Sequence, residues 1–288
     1  MWLARSVLRL GRASPPTVRY LMQTEVHVFA FSVAAGMLLS FFPFLTLILS
    51  LCRYVFKWKA AVNAIFLALG DYFPDAFGQF LQRNLQATVE SRGPVQIISL
   101  LLLFFTASGI FLPLEVAFNR IWNVQANRSY VKNQLVSLGL IFLCGVLMLV
   151  SVTFTALNNE YLVRAGAKPG SRMAGILGVV FFKVAAIPLS MFLLFLIYWL
   201  LPNCRVKAAK IVPPAILVGF LLEALKYINL LTWPYLRSKL ALEYGPFVYS
   251  ITIILWGFLA AMVVLAGGEW TARRSKAGSE AASSGAAP

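Results

Sequence analysis

Residues 211–231 read IVPPAILVGFLLEALKYINLL, an apolar run of membrane-spanning length that nevertheless contains Glu223 and Lys226. A helix rises about 1.5 Å per residue, so this run covers roughly the 30 Å hydrocarbon thickness of a bilayer. Charged side chains at that depth are costly unless protein or water receives them. The stretch therefore indicates an integral membrane helix bundle with an interior polar site.

The composition of the whole chain agrees with that class. Of its 288 residues 60% are hydrophobic and only 12% are charged, and the mean hydropathy is +0.80. A net charge of +15 could suit nucleic acid, but membrane proteins also concentrate Lys and Arg in short loops and against anionic headgroups. We therefore expect membrane lipids as partners and no nucleic acid. Cys52, Cys144 and Cys204 are scattered without CxxC spacing, which indicates neither a disulfide framework nor a zinc site.

The pattern of apolar runs predicts an all-α, polytopic membrane protein with six transmembrane helices and short interfacial helices. The predicted spans cover residues 28–51, 95–112, 135–157, 174–201, 211–231 and 246–267. The rest of the chain divides into an amphipathic N-terminal segment (1–27), a membrane domain (28–270) with an amphipathic outer segment (52–94), and a disordered tail (271–288). Six spans place both termini on one side, and a modest excess of Lys and Arg on that side predicts that it is the cytoplasm.

The polar site predicted within the membrane combines two spans. From these boundaries Lys183 lies about 13 Å and Glu223 about 12 Å from the same surface, so the two side chains could pair. Lys226 is one helical turn from Glu223 on the same face, and Asn229 continues that stripe. These four residues are the candidate site for an anionic headgroup or solute. The alternative is that their charges only neutralise one another and hold two helices together.

A second group of polar residues lies at the predicted inner ends of the spans. Glu115 and Glu269 end their spans, and Asn119 and Arg120 follow Glu115 within one or two turns. They are candidate gate residues, or else interface residues whose side chains reach the aqueous surface. His27 is the only histidine, so a supported catalytic triad or a His-rich metal site is difficult to build. We expect no catalytic residue, metal or cofactor, and a protein that is not an enzyme.

Four motifs carry a resemblance to a known family. They are SFFPFL at 40–45, SGIFLPLEVAFNRIWNV at 108–124, LLPN at 200–203 and YGPFVYSITIILWGFLAAMVVLAGGEW at 244–270. In this order and spacing they resemble the YihY/BrkB family of bacterial inner-membrane proteins over about residues 20–272. The resemblance implies a six-helix plasma-membrane protein without a settled biochemical activity. Some relatives carry a virulence-factor label, and the family has also been named ribonuclease BN.

Three hypotheses about function arise. The first is binding or transport of a lipid or amphipathic solute in the cell envelope. The second is a membrane scaffold that supports envelope integrity without transport. A ribonuclease is the third and is disfavoured, because one histidine and 10 acidic residues, several of them within the membrane, offer no cluster of metal ligands facing water. The sequence leaves the substrate and the oligomeric state open.

Overall fold

The computed structural model describes residues 16–72, 76–90, 94–124, 128–164, 187–204 and 206–284, and the regular structure within these ranges is helical. The helices are α1 Pro16–Leu21, α2 Thr24–Ser50, α3 Lys59–Tyr72, α4 Ala76–Glu90, α5 Pro94–Ile121, α6 Tyr130–Arg164, α7 Ile187–Leu200, α8 Ala208–Tyr244 and α9 Val248–Ser284. A π-helical turn, Leu51–Val55, extends α2, and a 3₁₀ turn, Gly245–Phe247, joins α8 to α9.

Within the described ranges, four helical stretches are long and apolar enough to cross a membrane. They are Thr24–Val55, Val131–Val150, Ala208–Tyr244 and Val248–Ser275. The protein is therefore a polytopic helical membrane protein, as its composition predicts. The second predicted span lies within α5, and the fourth is described only from Ile187 onward, since 174–186 fall outside the described residues. Six crossings remain a prediction.

Two helices are longer than the apolar runs that predict them. Helix α8 continues past Leu231 to Tyr244, because its last residues are mostly good helix formers such as Leu, Lys, Ala and Glu. It stops at Gly245, whose φ of 50° is accessible to glycine at no steric cost. Helix α9 runs to Ser284 through residues that we expected to form a disordered tail. Alanine-rich sequence favours helix once a helix already precedes it.

Helices α2 and α5 cross at two glycines. A Cβ atom added to Gly36 would overlap the backbone carbonyl group of Gly109, and one added to Gly109 would lie 3.3 Å from the Cα of Gly36. The two backbones therefore touch directly, which only residues without a side chain permit. This contact sets the distance between α2 and α5.

Helix α9 packs against the same pair through further small residues. Gly257 lies against Ala34 of α2, where an added Cβ would be 3.3 Å from the alanine Cα. Farther along α9, Gly268 faces Phe118 of α5, and the Tyr198 hydroxyl of α7 donates a 2.8 Å hydrogen bond to the Val264 carbonyl. Glycines thus let α9 approach α2 and α5 closely, and a hydrogen bond attaches α7 to α9.

Polar contacts define the two ends of the bundle. At one end, here called the basal end, Glu25 at the start of α2 pairs with Arg120 at the end of α5, and the Lys210 ammonium donates to the Ser275 carbonyl. At the other, distal end, the Tyr54 hydroxyl donates to the Val89 carbonyl over a second apolar core. Helices α3 and α4 form that core with the end of α2, and they occupy much of the predicted outer segment. The starts of α2 and α8 and the ends of α5 and α9 therefore lie at the basal end.

Candidate functional site

The charged pair within α8 forms as its spacing predicts. The Lys226 ammonium lies 3.6 Å from a carboxylate oxygen of Glu223, and the two side chains keep 29% and 19% of their surface accessible. The Lys226 nitrogen also lies 5.8 Å from the centre of the Tyr227 ring, within cation–π range. One turn farther, the side-chain oxygen of Asn229 is buried and has no hydrogen-bond partner among the described residues. Lys183 falls outside the described residues, so its predicted pairing stays a prediction.

The surroundings of this pair are open. The first half of α8 buries Ile211, Ala215 and Val218 against the main core of the bundle. From 220 to 232, by contrast, every residue is partly or fully exposed. Glu223 and Lys226 thus lie on a partly exposed stretch of α8, where Leu222 still packs against the main core. The arrangement places a cationic donor beside exposed apolar side chains, which is the combination that an anionic amphiphile requires.

Two of the predicted gate residues lie in a buried network at the basal end. Glu115 and Asn119 lie one turn apart on α5, with 3% and 2% of their surface exposed. The Asn119 side-chain oxygen accepts a 2.8 Å hydrogen bond from the backbone N–H of Asn203, whose side-chain amide also donates to Glu115 at 3.5 Å. The Arg128 guanidinium donates to the Leu200 carbonyl at 2.9 Å. This network attaches the turn after α7 to α5, so Glu115 and Asn119 lie inside the protein rather than at its surface.

The other two gate residues, Arg120 and Glu269, line a cavity at the basal end, here called the basal cavity. Its volume is about 410 Å³, and α1, α2, α5 and α9 form its walls. Glu269 accepts a 2.7 Å hydrogen bond from the Thr17 hydroxyl and lies 3.7 Å from the Arg273 guanidinium, which also donates to Thr17. Arg120 pairs with Glu25 across the cavity rim.

Several residues of this cavity were not among the sequence-predicted candidates. The additional lining residues with polar side chains are Arg19, Tyr20, Gln23, Glu25 and Arg273. Arg273 follows Glu269 by four residues, which is helical pair spacing and could have been noticed. Glu25 and Arg120 come from different helices, and no local pattern connects them. Burial raises the pKa of the Tyr20 hydroxyl, and the neighbouring Glu269 carboxylate adds to that shift.

Across the described residues, no group of three or more His, Cys, Asp or Glu side chains is placed to hold a metal ion. The described charged clusters consist of arginine or lysine with one carboxylate each. Such clusters can bind and orient an anionic group.

Comparison with known proteins agrees with the motif resemblance. The chain is 28% identical to a UPF0761 membrane protein of Chromohalobacter salexigens, over 82% of this chain and 57% of the relative. It is 27% identical to another from Laribacter hongkongensis, over 93% of this chain and 65% of the relative. The chain thus spans a little over half the length of these curated relatives. No solved structure shows a significant match. The family model described as "Virulence factor BrkB" matches residues 17–287, and the chain therefore belongs to the BrkB family of membrane proteins.

Proposed function

We propose that this protein binds an anionic lipid or amphipathic solute within the bacterial plasma membrane, and that it does so without catalysing a reaction. The Lys226 ammonium is the cationic contact, and Glu223 competes with the ligand for it. Asn229, one turn away, contributes a further polar group. Movement of the ligand across the membrane would use the same contact.

The observation that carries the proposal is the accessibility of the charged pair. A salt bridge that only holds two helices together is expected to be enclosed between them, because water and lipid headgroups would otherwise compete with it. Here both partners lie on one helix, and both side chains stay partly accessible on an open stretch of α8. Intramembrane charges with this access commonly mark ligand or ion pathways.

The scaffold hypothesis keeps one observation in its favour. Glu223 and Lys226 lie 3.6 Å apart and neutralise each other, so a purely structural role requires no ligand. The two hypotheses predict different results for a variant in which the lysine has lost its charge.

We predict that Lys226→Gln lowers the retention of an anionic lipid by roughly tenfold, the loss expected for one charge-assisted contact. The measurement is native mass spectrometry of the protein released from nanodiscs of phosphatidylcholine and phosphatidylglycerol, at matched folded yield. The thermal unfolding temperature should stay close to that of the wild type, since the pair is partly solvated.

Lys239→Gln provides the matched control for this experiment. Lys239 pairs with Glu243 on the same helix at 4.0 Å, but the lysine side chain is 72% accessible near the distal end. This variant should retain phosphatidylglycerol as the wild type does. Equal retention in Lys226→Gln and the wild type, together with a lower unfolding temperature, would contradict the binding proposal and favour the scaffold.

The proposal also assigns the basal end to the cytoplasm. This orientation is supported by the excess of Lys and Arg in the segments on that side of the membrane. Because α8 is 37 residues and about 55 Å long, its end projects beyond a bilayer on the opposite side.

We predict that impermeant maleimide reagents distinguish the two ends of α8 in intact spheroplasts. On a background in which the three native cysteines are replaced by serine, Glu243→Cys should be labelled from outside. Lys207→Cys, exposed at the basal end, should be labelled only after the membrane is permeabilised. The reverse pattern would overturn the assigned orientation.

A further inference from the structure

The basal cavity has the size and lining of a small-molecule site. Its volume of about 410 Å³ lies within the range of roughly 300–1,000 Å³ typical of ligand pockets. The apolar side of its lining comes from residues of α2, α5 and α9, namely Val26, Phe29, Ala117, Ile121 and Ala272. The polar side carries charges from four helices. A ligand that fits both sides must be amphipathic.

Arginine side chains from three helices line the basal cavity. The lining residues include the guanidinium groups of Arg19, Arg120 and Arg273 and the carboxylates of Glu25 and Glu269. Guanidinium groups suit phosphate and carboxylate because they donate two parallel hydrogen bonds, so this lining can bind an anionic group.

The ion pairs at the rim are able to exchange partners. The Arg120 side chain is 62% accessible and that of Glu25 is 54% accessible, so the pair is held weakly and a ligand can displace the carboxylate. Glu269 is different, because only 15% of its side chain is accessible and the Thr17 hydroxyl also binds it. Glu269 therefore fixes the wall formed by α1, while Arg120 is the group available to a ligand.

Tyr20 adds a neutral donor to the same wall. Because burial raises the pKa of its hydroxyl, this group keeps its proton throughout the physiological range. A protonated phenol can donate a hydrogen bond to an anion and cannot repel it.

We propose that the basal cavity is a binding site for the anionic headgroup of an amphiphile, with its phosphate or carboxylate group at Arg120 and its first methylene groups on the apolar side. The volume accommodates a headgroup with a short hydrocarbon part and excludes a complete two-chain lipid. This site is separate from the Glu223–Lys226 pair, so either can fail without the other. The ligand is a membrane lipid that inserts its headgroup from the bilayer, or a soluble amphiphilic anion that enters from the aqueous side.

Opposite effects of two neutralising substitutions distinguish a binding site from a structural ion pair. Arg120→Gln removes the anion contact and should weaken binding by roughly tenfold. Glu25→Gln removes the competing carboxylate and should tighten binding several-fold. If the pair were only structural, both variants would lower the unfolding temperature equally. Arg120→Gln would then not weaken ligand binding, and Glu25→Gln would not tighten it.

The experiment uses the full chain in nanodiscs and has two arms. In phosphatidylcholine nanodiscs, hexyl phosphate is titrated from solution, and binding is measured by isothermal titration calorimetry. In nanodiscs that also contain phosphatidylglycerol, lipid retention is measured by native mass spectrometry. If Arg120→Gln weakens hexyl phosphate binding and leaves phosphatidylglycerol retention unchanged, the ligand is soluble. If Arg120→Gln lowers phosphatidylglycerol retention, the ligand is a lipid, because lipid held at Lys226 is unaffected by this variant.

Arg53→Gln and Glu90→Gln are the matched controls. They neutralise an ion pair of similar accessibility at the distal end, where the two side chains are 41% and 48% accessible. Neither control should change either readout. The proposal is overturned if neither probe binds in the wild type, or if Glu25→Gln weakens binding as much as Arg120→Gln does. Loss of phosphatidylglycerol in Lys226→Gln with unchanged hexyl phosphate binding would support the site on α8 separately.

Discussion

Gly36→Ala is expected to destabilise the helix bundle by about 3 kcal/mol or more, the upper range for overpacking a closed contact. The new methyl group would overlap the backbone carbonyl of Gly109. A side chain can change rotamer to relieve such a clash, but a helix backbone cannot, so α2 and α5 must separate. The contacts of α9 with Ala34 would then be disturbed as well. Thermal unfolding in detergent, followed by circular dichroism, would measure the loss.

Gly139→Ala is the matched control for this prediction. Gly139 is also a helical glycine, in α6, but an added Cβ there has no atom within 4 Å. Alanine should therefore be tolerated, and it should stabilise by about 0.5–1 kcal/mol through its better helix propensity. If Gly36→Ala unfolded at the same temperature as Gly139→Ala, the result would contradict a direct backbone contact between α2 and α5.

Asn119→Leu is expected to cost about 3 kcal/mol, the sum for two buried polar groups that lose their partner. The backbone N–H of Asn203 would lose its acceptor, and the buried Glu115 would lose a neighbouring amide. Leucine has the same number and branching of side-chain heavy atoms, so no cavity forms and the loss would come mainly from hydrogen bonding. The turn after α7 should detach from α5.

Limited proteolysis would measure that detachment, since cleavage within residues 201–207 should become faster in Asn119→Leu. Asn84→Ala is the control, because Asn84 donates to the Phe80 carbonyl on an exposed surface of α4. That variant should change neither the proteolysis rate nor the unfolding temperature by more than the small effect typical of surface sites. Equal cleavage in all three proteins would contradict the structural role of Asn119.

Sequence patterns predicted the parts of the site that depend on neighbours along the chain. The Glu223–Lys226 pair is one helical turn, so its 3.6 Å contact results from helix geometry once α8 forms. The Glu269–Arg273 pair has the same kind of local helical spacing, although it was not predicted. By contrast, Glu25 lies 95 positions before Arg120, and their ion pair depends on where two separate helices end.

The glycines also show that local sequence patterns do not predict which helices contact each other. Gly139 and Gly145 both lie in the third predicted span, and both are small residues that permit close packing. In the structure only Gly145 of these two faces a neighbouring helix, where an added Cβ would be 2.8 Å from Ile48. Among the glycines of the described residues, direct contact between two helix backbones occurs instead at Gly36 and Gly109. A glycine shows where close packing is possible, but the partner depends on helix arrangement.

The amino-acid sequence alone determined that this is a polytopic helical membrane protein of the BrkB family, because apolar runs of spanning length and their motifs are local properties. Only the tertiary structure decided that Glu115 and Asn119 are buried while Arg120 lines a cavity, although the three lie within six residues of one helix. Successive residues of a helix point in different directions, and their surroundings depend on which helices pack against each face. Those contacts arise between distant parts of the chain.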